Sequence, residues 1–489
     1  MCMPDHRPDS SIFKGESVVL ISAPPGEDRA FDNGDSAVNL YAKLMERAVA
    51  RRPVRVGLIG AGKFGAMYLH QVPRTPGIHL VGIADLSPAR AVENLARVGW
   101  SAERYAAASL EEALRRGTTF VSDDWQSLVA CGPIDVIVEC TGNPIAAVEH
   151  CLAAFAAGKP IINVTVEADA FCGPVLAHKA RQAGVIYSLA YGDQPALACD
   201  LVDWARACGF PVVAAGRGHK WLPHYRESTP ETVWDHWGLT AEQAARGGMN
   251  PKMFNAFLDG SKPAIESAAI ANATGLEAPS EGLAFPPGSV DDIPALMRPR
   301  AEGGVLEAKG QVEVVSCLTA DGRPIANDIR KGVWVCFEGD SDYVRNCFEE
   351  YKVVTDPSGC YMSSYKKWHL IGLELGISVA SIALRREPTG VATCFNADVA
   401  ATAKRDLQPG DMLDGEGGYT VFGKLTPAET ALAHGYLPLG LAHQVRLVRP
   451  VAKDACISWA DVAIDETLPA VRLRREQEAM HTPVTRRHA

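Results

Sequence analysis

Val54-Arg-Val-Gly-Leu-Ile-Gly60-Ala-Gly62-Lys63-Phe64-Gly65 is the stretch on which the reading of this 489-residue chain turns. A short apolar run that stops at Gly60 reads as a buried strand. The three glycines that follow have the spacing G-x-G-x-x-G, and residues 64–74 suit a helix. A second strand, His79–Ala84, ends at Asp85, twenty positions past the third glycine. Strand, glycine turn, helix, strand and acid in this order form the context that gives the glycine spacing its meaning. Glycine allows the tight turn and lets backbone N–H groups at a helix N-terminus approach a pyrophosphate. Gly60, Gly62, Lys63, Phe64 and Gly65 are therefore the expected cradle of a dinucleotide. Asp85 is placed to accept both ribose hydroxyls, which favours NAD over NADP. Arg90 is the nearest cation able to pair with a 2′-phosphate.

Further strands follow at helix-length intervals. Ile134–Cys140 leads into Thr141, Gly142 and Asn143, expected beside the nicotinamide half of the cofactor. Pro160–Thr165 runs on to Glu167 and Asp169, and Val185–Ala190 ends at Asp193. Strands alternating with helical segments predict a doubly wound parallel α/β sheet of Rossmann type over residues 37–195. Residues 1–36, rich in Pro, Gly and Asp, read as a disordered extension. Residues 196–390 read as an α+β substrate and dimerisation domain. It begins with a helix near 197–205 and the strand Val212–Gly216, and adds β-like runs at Gln311–Ser316, Gly332–Phe337 and Ile377–Leu384. Residues 277–310 read as irregular. Residues 391–466 form a separate small β unit, and the charged tail 467–489 reads as frayed.

Composition narrows the function. Lys and Arg number 48 against 58 Asp and Glu, a net charge of −10. That argues against a nucleic-acid binder relying on global positive charge. No apolar run approaches the ~20 residues of a membrane helix, and no signal peptide is evident. The thirteen cysteines are scattered without a C-x-x-C pair, as in reduced thiols of a cytoplasmic protein. The expected partner is a small molecule, with neither nucleic acid nor membrane involved.

Several side chains are candidates for the chemistry. Arg217, His219 and Lys220 follow a strand end and read either as an anion-binding or carbonyl-polarising cluster or as a solvated basic loop. Glu167, Asp169 and Asp193, at successive strand ends, read either as metal ligands or a general acid/base pair, or as caps of the following helices. Lys262 and Glu266, four apart, read as an ion pair or as a lysine facing the nicotinamide, with Asn272 in the same segment. His369, in Tyr365-Lys-Lys-Trp-His369, reads as part of a surface patch. Trp221, Trp234 and Trp237 read as packing, with a substrate lid as the alternative.

The runs VGLIGAGKFG, DVIVECTG, INVTVEADAFCGP, GVIYSLAYGDQP, FLDGSKPAIESAAIANATGL, AEGGVLEAKG, KRDLQPGDMLDG and YLPLGL resemble the homoserine-dehydrogenase-like oxidoreductases that carry a C-terminal SAF domain. Within that group the chain is most similar to the 1-deoxy-D-xylulose-5-phosphate reductoisomerase-like branch. The resemblance spans residues from about 40 to 465. Homoserine dehydrogenases proper carry a lysine where this chain reads Glu167-Ala-Asp169, and the reductoisomerase-like branch shows small or basic residues where it has Asp85. The resemblance implies an NAD(P)-dependent oxidoreductase acting on a small polar, phosphorylated or free, hydroxy or carbonyl compound. It also implies a homodimer, a SAF-like fold for residues 391–466, and a divalent metal (Mg or Mn) held by Glu167, Asp169 and Asp193. Lys220, Lys262, Glu167 and Asp193 are the expected catalytic residues, and Arg217, His219 and Asn272 the expected substrate contacts. The alternatives are a homoserine-dehydrogenase-type alcohol dehydrogenase, an isomerase or lyase that keeps its NAD bound, and a non-enzymatic nucleotide-sensing regulator.

Overall fold

The computed structural model describes residues 39–246 and 249–481. The extension expected over 1–36 lies outside them. The strands are β1 Val54–Ile59, β2 Ile78–Ala84, β3 Phe120–Ser122, β4 Val136–Glu139, β5 Ile161–Asn163 and β6 Tyr187–Leu189, then β7 Val212–His219, β8 Gln311–Ser316, β9 Val333–Glu338 and β10 Tyr361–Lys366, and finally β11 Ala397–Ala403, β12 Met412–Asp414, β13 Val421–Pro427, β14 His443–Leu447 and β15 Val462–Ala463. The helices are α1 Leu40–Val49, α2 Lys63–Gln71, α3 Pro88–Arg97, α4 Leu110–Arg116, α5 Trp125–Ala130, α6 Pro144–Ala156, α7 Val166–Gln182, α8 Gln194–Ala207, α9 Val233–Trp237, α10 Ala241–Arg246, α11 Pro251–Leu258, α12 Ser261–Thr274, α13 Ile293–Leu296, α14 Asp342–Glu350, α15 Gly376–Ala380, α16 Ala428–His434 and α17 Pro469–His481.

β1 to β6 form one parallel sheet in the order β3-β2-β1-β4-β5-β6. The apolar runs seen in the sequence are its buried strands, as expected where helices cover both faces. The strand order reverses between β1 and β4, whose last residues Ile59 and Glu139 are in register. Loops leaving two neighbouring strands in opposite directions open a crevice at their C-terminal ends, the usual ligand position in such sheets. The doubly wound α/β class read from the sequence is the one observed.

A second, mixed sheet follows in the order β10-β9-β7-β8, with β7 parallel to β8 and antiparallel to β9. Helix α12 lies between this sheet, α7 and α8. It is buried almost all round, with Ala264, Ala268, Ala269 and Ala271 keeping its girth small enough for close approach on every side. The C-terminal β unit pairs β11 with β13 and orders β12-β14-β15 as a second small sheet.

Two stretches differ from the sequence reading. Ile377–Leu384 was expected as a strand and is helical: α15 continues into a π-type turn over Ser381–Arg385, and Val379 and Ile382 pack into the core around β1. A short apolar run carries no period able to separate a buried helix from a buried strand. The tail expected to fray from 467 instead forms α17. Pro174 inside α7 lacks the N–H that would complete the ladder there. The Gln477 side chain inserts beside it, accepting from Val175 N (3.2 Å) and donating to Phe171 O (3.2 Å). Arg474, 1% exposed, also donates to Phe171 O and pairs with the buried Asp398. The twelve described cysteines are free thiols, and among the described residues no helix is long and apolar enough to cross a membrane.

Candidate functional site: a cavity at the sheet's reversal point

The three glycines divide the work between them. Gly60 has φ +93, and a Cβ there would lie 2.7 Å from Cys140 O, so the chain can turn only with glycine. A Cβ on Gly65 would lie 2.6 Å from Gly60 O, which sets how closely α2 packs on the strand. At Gly62 the Cβ position has no atom within 4 Å. Gly62 is the N-cap of α2 and offers no side-chain bond to the free N–H groups behind it. Open space in front of uncapped, positively polarised N–H groups suits a phosphate. The residues present fit a dinucleotide pyrophosphate. Asp85 braces this loop: Oδ2 accepts from Ala61 N (2.9 Å), and Oδ1 accepts from Ser87 N (2.9 Å) and faces Arg90 Nη2 at 3.1 Å.

The loop opens into a cavity of about 360 Å³. Lys63, Phe64, Thr141, Gly142 and Thr165 line the side next to the glycines. Thr141 bonds through its N–H and hydroxyl to Glu139, a fully buried carboxylate that also meets His150 Nδ1 at 3.4 Å. Gly142, at φ +70, donates its N–H to Thr165 Oγ1 (3.0 Å). Asn143 does not line the cavity: its Oδ1 accepts from Ile145 N and Ala146 N and so caps α6.

The other side is a run of alternating charges. Lys262, at the start of α12, bonds Glu167 on α7 and lies 3.9 Å from Glu266, which in turn pairs with Arg217. Burial alone would pull the Lys262 ammonium down, but Glu167, Asp193 and Glu416 together outweigh it and hold its pKa above the ordinary value. Lys262 is thus a fixed positive charge facing the cavity. Asp193, on the loop after β6, caps α8 through Gln194 N (2.9 Å) and also lines the cavity.

Several expected site residues lie elsewhere. Glu167 and Asp169 were read as a strand end and occupy the first turn of α7, where positions two apart face different ways. Glu167 turns to the cavity. Asp169 is fully buried, accepts from Tyr187 Oη (2.9 Å), and is pushed up to about 7 by burial. The trio Glu167, Asp169, Asp193 therefore does not assemble as a metal site. Among the described residues no group of three His, Cys, Asp or Glu side chains is arranged to hold a metal.

Arg217, His219 and Lys220 do not form a loop, because β7 runs on through His219. Arg217 and His219 are both 3% exposed and share one face of the strand. His219 donates from Nε2 to Phe257 O and accepts at Nδ1 from Arg217. Burial, and then Arg217 beside it, keeps its imidazole neutral. Lys220 donates to His236 O and sits over the Trp237 ring. These three stand behind the cavity, not on its surface. Asn272, fully buried, holds α12 to β11 by accepting from Asn396 N and Ala397 N and donating to Ala397 O.

Other residues line the cavity without having been singled out from the sequence: Asn250 and Lys252 at the start of α11, Glu416 between β12 and β13, and His443 on β14. His369, read as part of a surface patch, also lines it, with Nδ1 donating to Lys331 O. The Asn250-Pro251 pair was a visible helix-start signal. For Glu416 and His443 no local signal exists, because long-range packing brings them in.

Residues 192–375 match the family model described as "Oxidoreductase DRL, catalytic domain", and over this stretch the chain carries an oxidoreductase catalytic domain. The stretch contains Asp193, Lys252, Lys262, Glu266 and His369. No curated protein sequence matches the chain. Among solved structures it is similar to biliverdin reductase from Synechocystis, solved with biliverdin and NADP+, at 18% identity and TM-score 0.24 over 35% of this chain and 48% of that one. It is also similar to an NAD binding oxidoreductase from Klebsiella pneumoniae, at 16% identity and TM-score 0.29 over 65% and 67% of the two chains. A third is 1-deoxy-D-xylulose 5-phosphate reductoisomerase from Zymomonas mobilis, solved with NADPH, at 15% identity and TM-score 0.30 over 45% and 57%. The chain thus spans about half the length of the first of these.

Proposed function

We propose that the chain is a nicotinamide-dependent oxidoreductase that interconverts a small polar alcohol and its carbonyl form, the substrate carrying a phosphoryl or carboxylate end. One observation carries the reading: the open pyrophosphate cradle at Gly62 and the fixed charge of Lys262 face the same cavity. The cofactor, when bound, supplies or takes up the hydride. Lys262 holds its positive charge at the substrate oxygen, where it stabilises the alkoxide character that develops in either direction. Glu167 and Glu266 keep it oriented. Lys252 meets the anionic end of the substrate, and Lys63 stays with the cofactor's phosphates. Asp85 supports NAD over NADP, since its carboxylate keeps acceptor capacity for one ribose hydroxyl beyond the three contacts it makes, and its charge would repel a 2′-phosphate. The substrate class is the one the reductoisomerase-like resemblance implies. Its metal-chelated version lacks a ligand set here, because Asp169 is spent on Tyr187 and Glu167 on Lys262. The division into 37–195, 196–390 and 391–466 is part of the same proposal.

The test is a titration of the protein with NADH and NADPH followed by fluorescence. A panel of free and phosphorylated hydroxyketones is then screened for cofactor oxidation. Micromolar cofactor binding with turnover of a panel member is expected. Absence of binding by either cofactor overturns the proposal. Binding with slow, redox-neutral conversion of a substrate would favour the isomerase or lyase alternative, and binding without any turnover a sensor.

A further inference from the structure

Four carboxylates line the cavity, and three are committed: Glu167 to Lys262, Glu266 to Arg217 and Asp193 to the cap of α8. The fourth, Glu416, has no hydrogen bond or ion pair among the described residues. It comes from the C-terminal β unit, on the loop 415–420 between β12 and β13. That loop has little freedom. The Asp414 carboxylate accepts from Tyr419 N (2.6 Å) and Thr420 N (3.0 Å). A Cβ on Gly415 would lie 2.2 Å from the His443 ring, and one on Gly417 would lie 2.0 Å from Lys252 O. Buried Asn255 donates to Gly417 O (2.9 Å). Buried Lys404, paired with Asp259 at 2.7 Å, donates to Gly418 O (2.7 Å). The glycines let the loop press onto α11 and His443, and the two buried donors pin it there. An otherwise unengaged carboxyl is thereby presented to the cavity by a rigid support.

We propose that Glu416 is the proton donor to the substrate oxygen, and its acceptor in the reverse direction, so that the C-terminal β unit supplies a catalytic residue. The inference rests on the nicotinamide reading above. Carbonyl reduction takes up one hydride at carbon and one proton at oxygen. As the C=O π pair moves to the oxygen, the O–H bond of the Glu416 carboxyl breaks, its proton passes to that oxygen, and water later restores it. Lys262 is poorly suited to this step, because losing its proton would leave the part-buried Glu167 carboxylate unpaired. Glu416 suits it, since burial and then the neighbouring Glu167 push its pKa up to about 8, near operating pH. The charged and titratable groups facing it are Glu167 on α7, Lys252 on α11, Asp259 at the end of α11, Lys262 at the start of α12, and His443 on β14. Burial and then Lys252 pull His443 down to about 4.

The test needs no substrate. Wild type, Glu416→Gln and His443→Gln are titrated with the oxidised and the reduced cofactor from about pH 6.5 to about 9.5, a window that brackets the carboxyl's titration. The oxidised ring is cationic, so its affinity should rise as Glu416 loses its proton. Relative to the reduced cofactor the rise should be roughly tenfold, for a unit charge about 10 Å away at an effective dielectric of about 20. Glu416→Gln should flatten this rise while leaving the melting temperature and the affinity for the reduced cofactor unchanged. His443→Gln should keep it, because the imidazole is already neutral throughout the window. A rise of equal size in wild type and Glu416→Gln, or one lost in His443→Gln instead, overturns the assignment of Glu416 alone. Failure of wild type to bind either cofactor overturns the nicotinamide reading and this inference with it.

Discussion

The cavity has two sides built on different principles. The glycine side is nearly contiguous: Gly60 to Gly65 with Thr141 and Gly142, at the ends of two strands paired in register. Its binding groups are backbone N–H groups, and its side chains matter mostly by being absent. The charged side draws Glu167, Lys252, Lys262, Glu416 and His443 from four helices and strands and one loop, spread over most of the chain. Its binding groups are side chains, placed by burial and ion pairing. A site made of backbone must be written locally, because only glycine permits the conformation. A site made of side chains can be gathered from anywhere that packing allows.

The two sides should therefore fail differently. Gly62→Val puts a branched side chain into space that is empty in the fold and needed by the pyrophosphate. Cofactor affinity should fall about a hundredfold or more, with the melting temperature hardly changed, as fluorescence titration and thermal melting would show. A variant that still bound cofactor normally would remove the glycine side from the site. Lys262→Met should do the reverse, with cofactor binding kept and kcat lowered about 10²- to 10³-fold, the usual cost of losing one group aimed at developing charge. A drop confined to KM would reduce Lys262 to a substrate anchor.

This contrast also explains what could be read in advance. The parallel sheet, the glycine turn after β1, and Thr141 and Gly142 at a strand end were legible because each leaves a local trace. Lys262, Glu266 and Glu167 were visible as candidates, but the pairing of Lys262 with Glu167, 95 positions away, was not. Arg217 and His219 were misplaced because a strand of glycine and basic residues looks like a loop until Glu266 on α12 is known to cover it. Asn272 looked chemical and proved structural, since a buried amide serves equally to tie α12 to β11. The order of α17 depended on a broken ladder in α7, some 300 positions earlier.

A smaller effect sharpens the charged side. Asn255 accepts from Ser228 Oγ (2.6 Å) and donates to Ser228 O (3.0 Å) and Gly417 O (2.9 Å), all buried. Asn255→Ala strands these partners, and each buried polar group left unpaired costs about 1–3 kcal/mol. The melting temperature should drop and the substrate KM should rise as loop 415–420 loosens, while cofactor affinity holds. Equal losses of substrate and cofactor affinity would mean the two sides are not separable in this way.

The smallest expected effect concerns Asp85, where the glycine side does depend on a side chain. Its carboxylate touches Ala61 N and Ser87 N and keeps Arg90, whose side chain is 60% exposed, within 3.1 Å. Serine in its place is too short to span both backbone donors and still accept from a ribose hydroxyl. It would also free Arg90 from its only ion pair among the described residues. NAD affinity in Asp85→Ser should fall about tenfold, equivalent to about 1.4 kcal/mol, and NADP should lose less because Arg90 can turn to the 2′-phosphate. The ratio of the two dissociation constants is the quantity to measure, since loosening of the glycine loop weakens both cofactors alike and cancels in it. A wild-type protein that already prefers NADP would show that Arg90 outweighs the carboxylate. Arg90→Ala should then reverse the preference where Asp85→Ser does not.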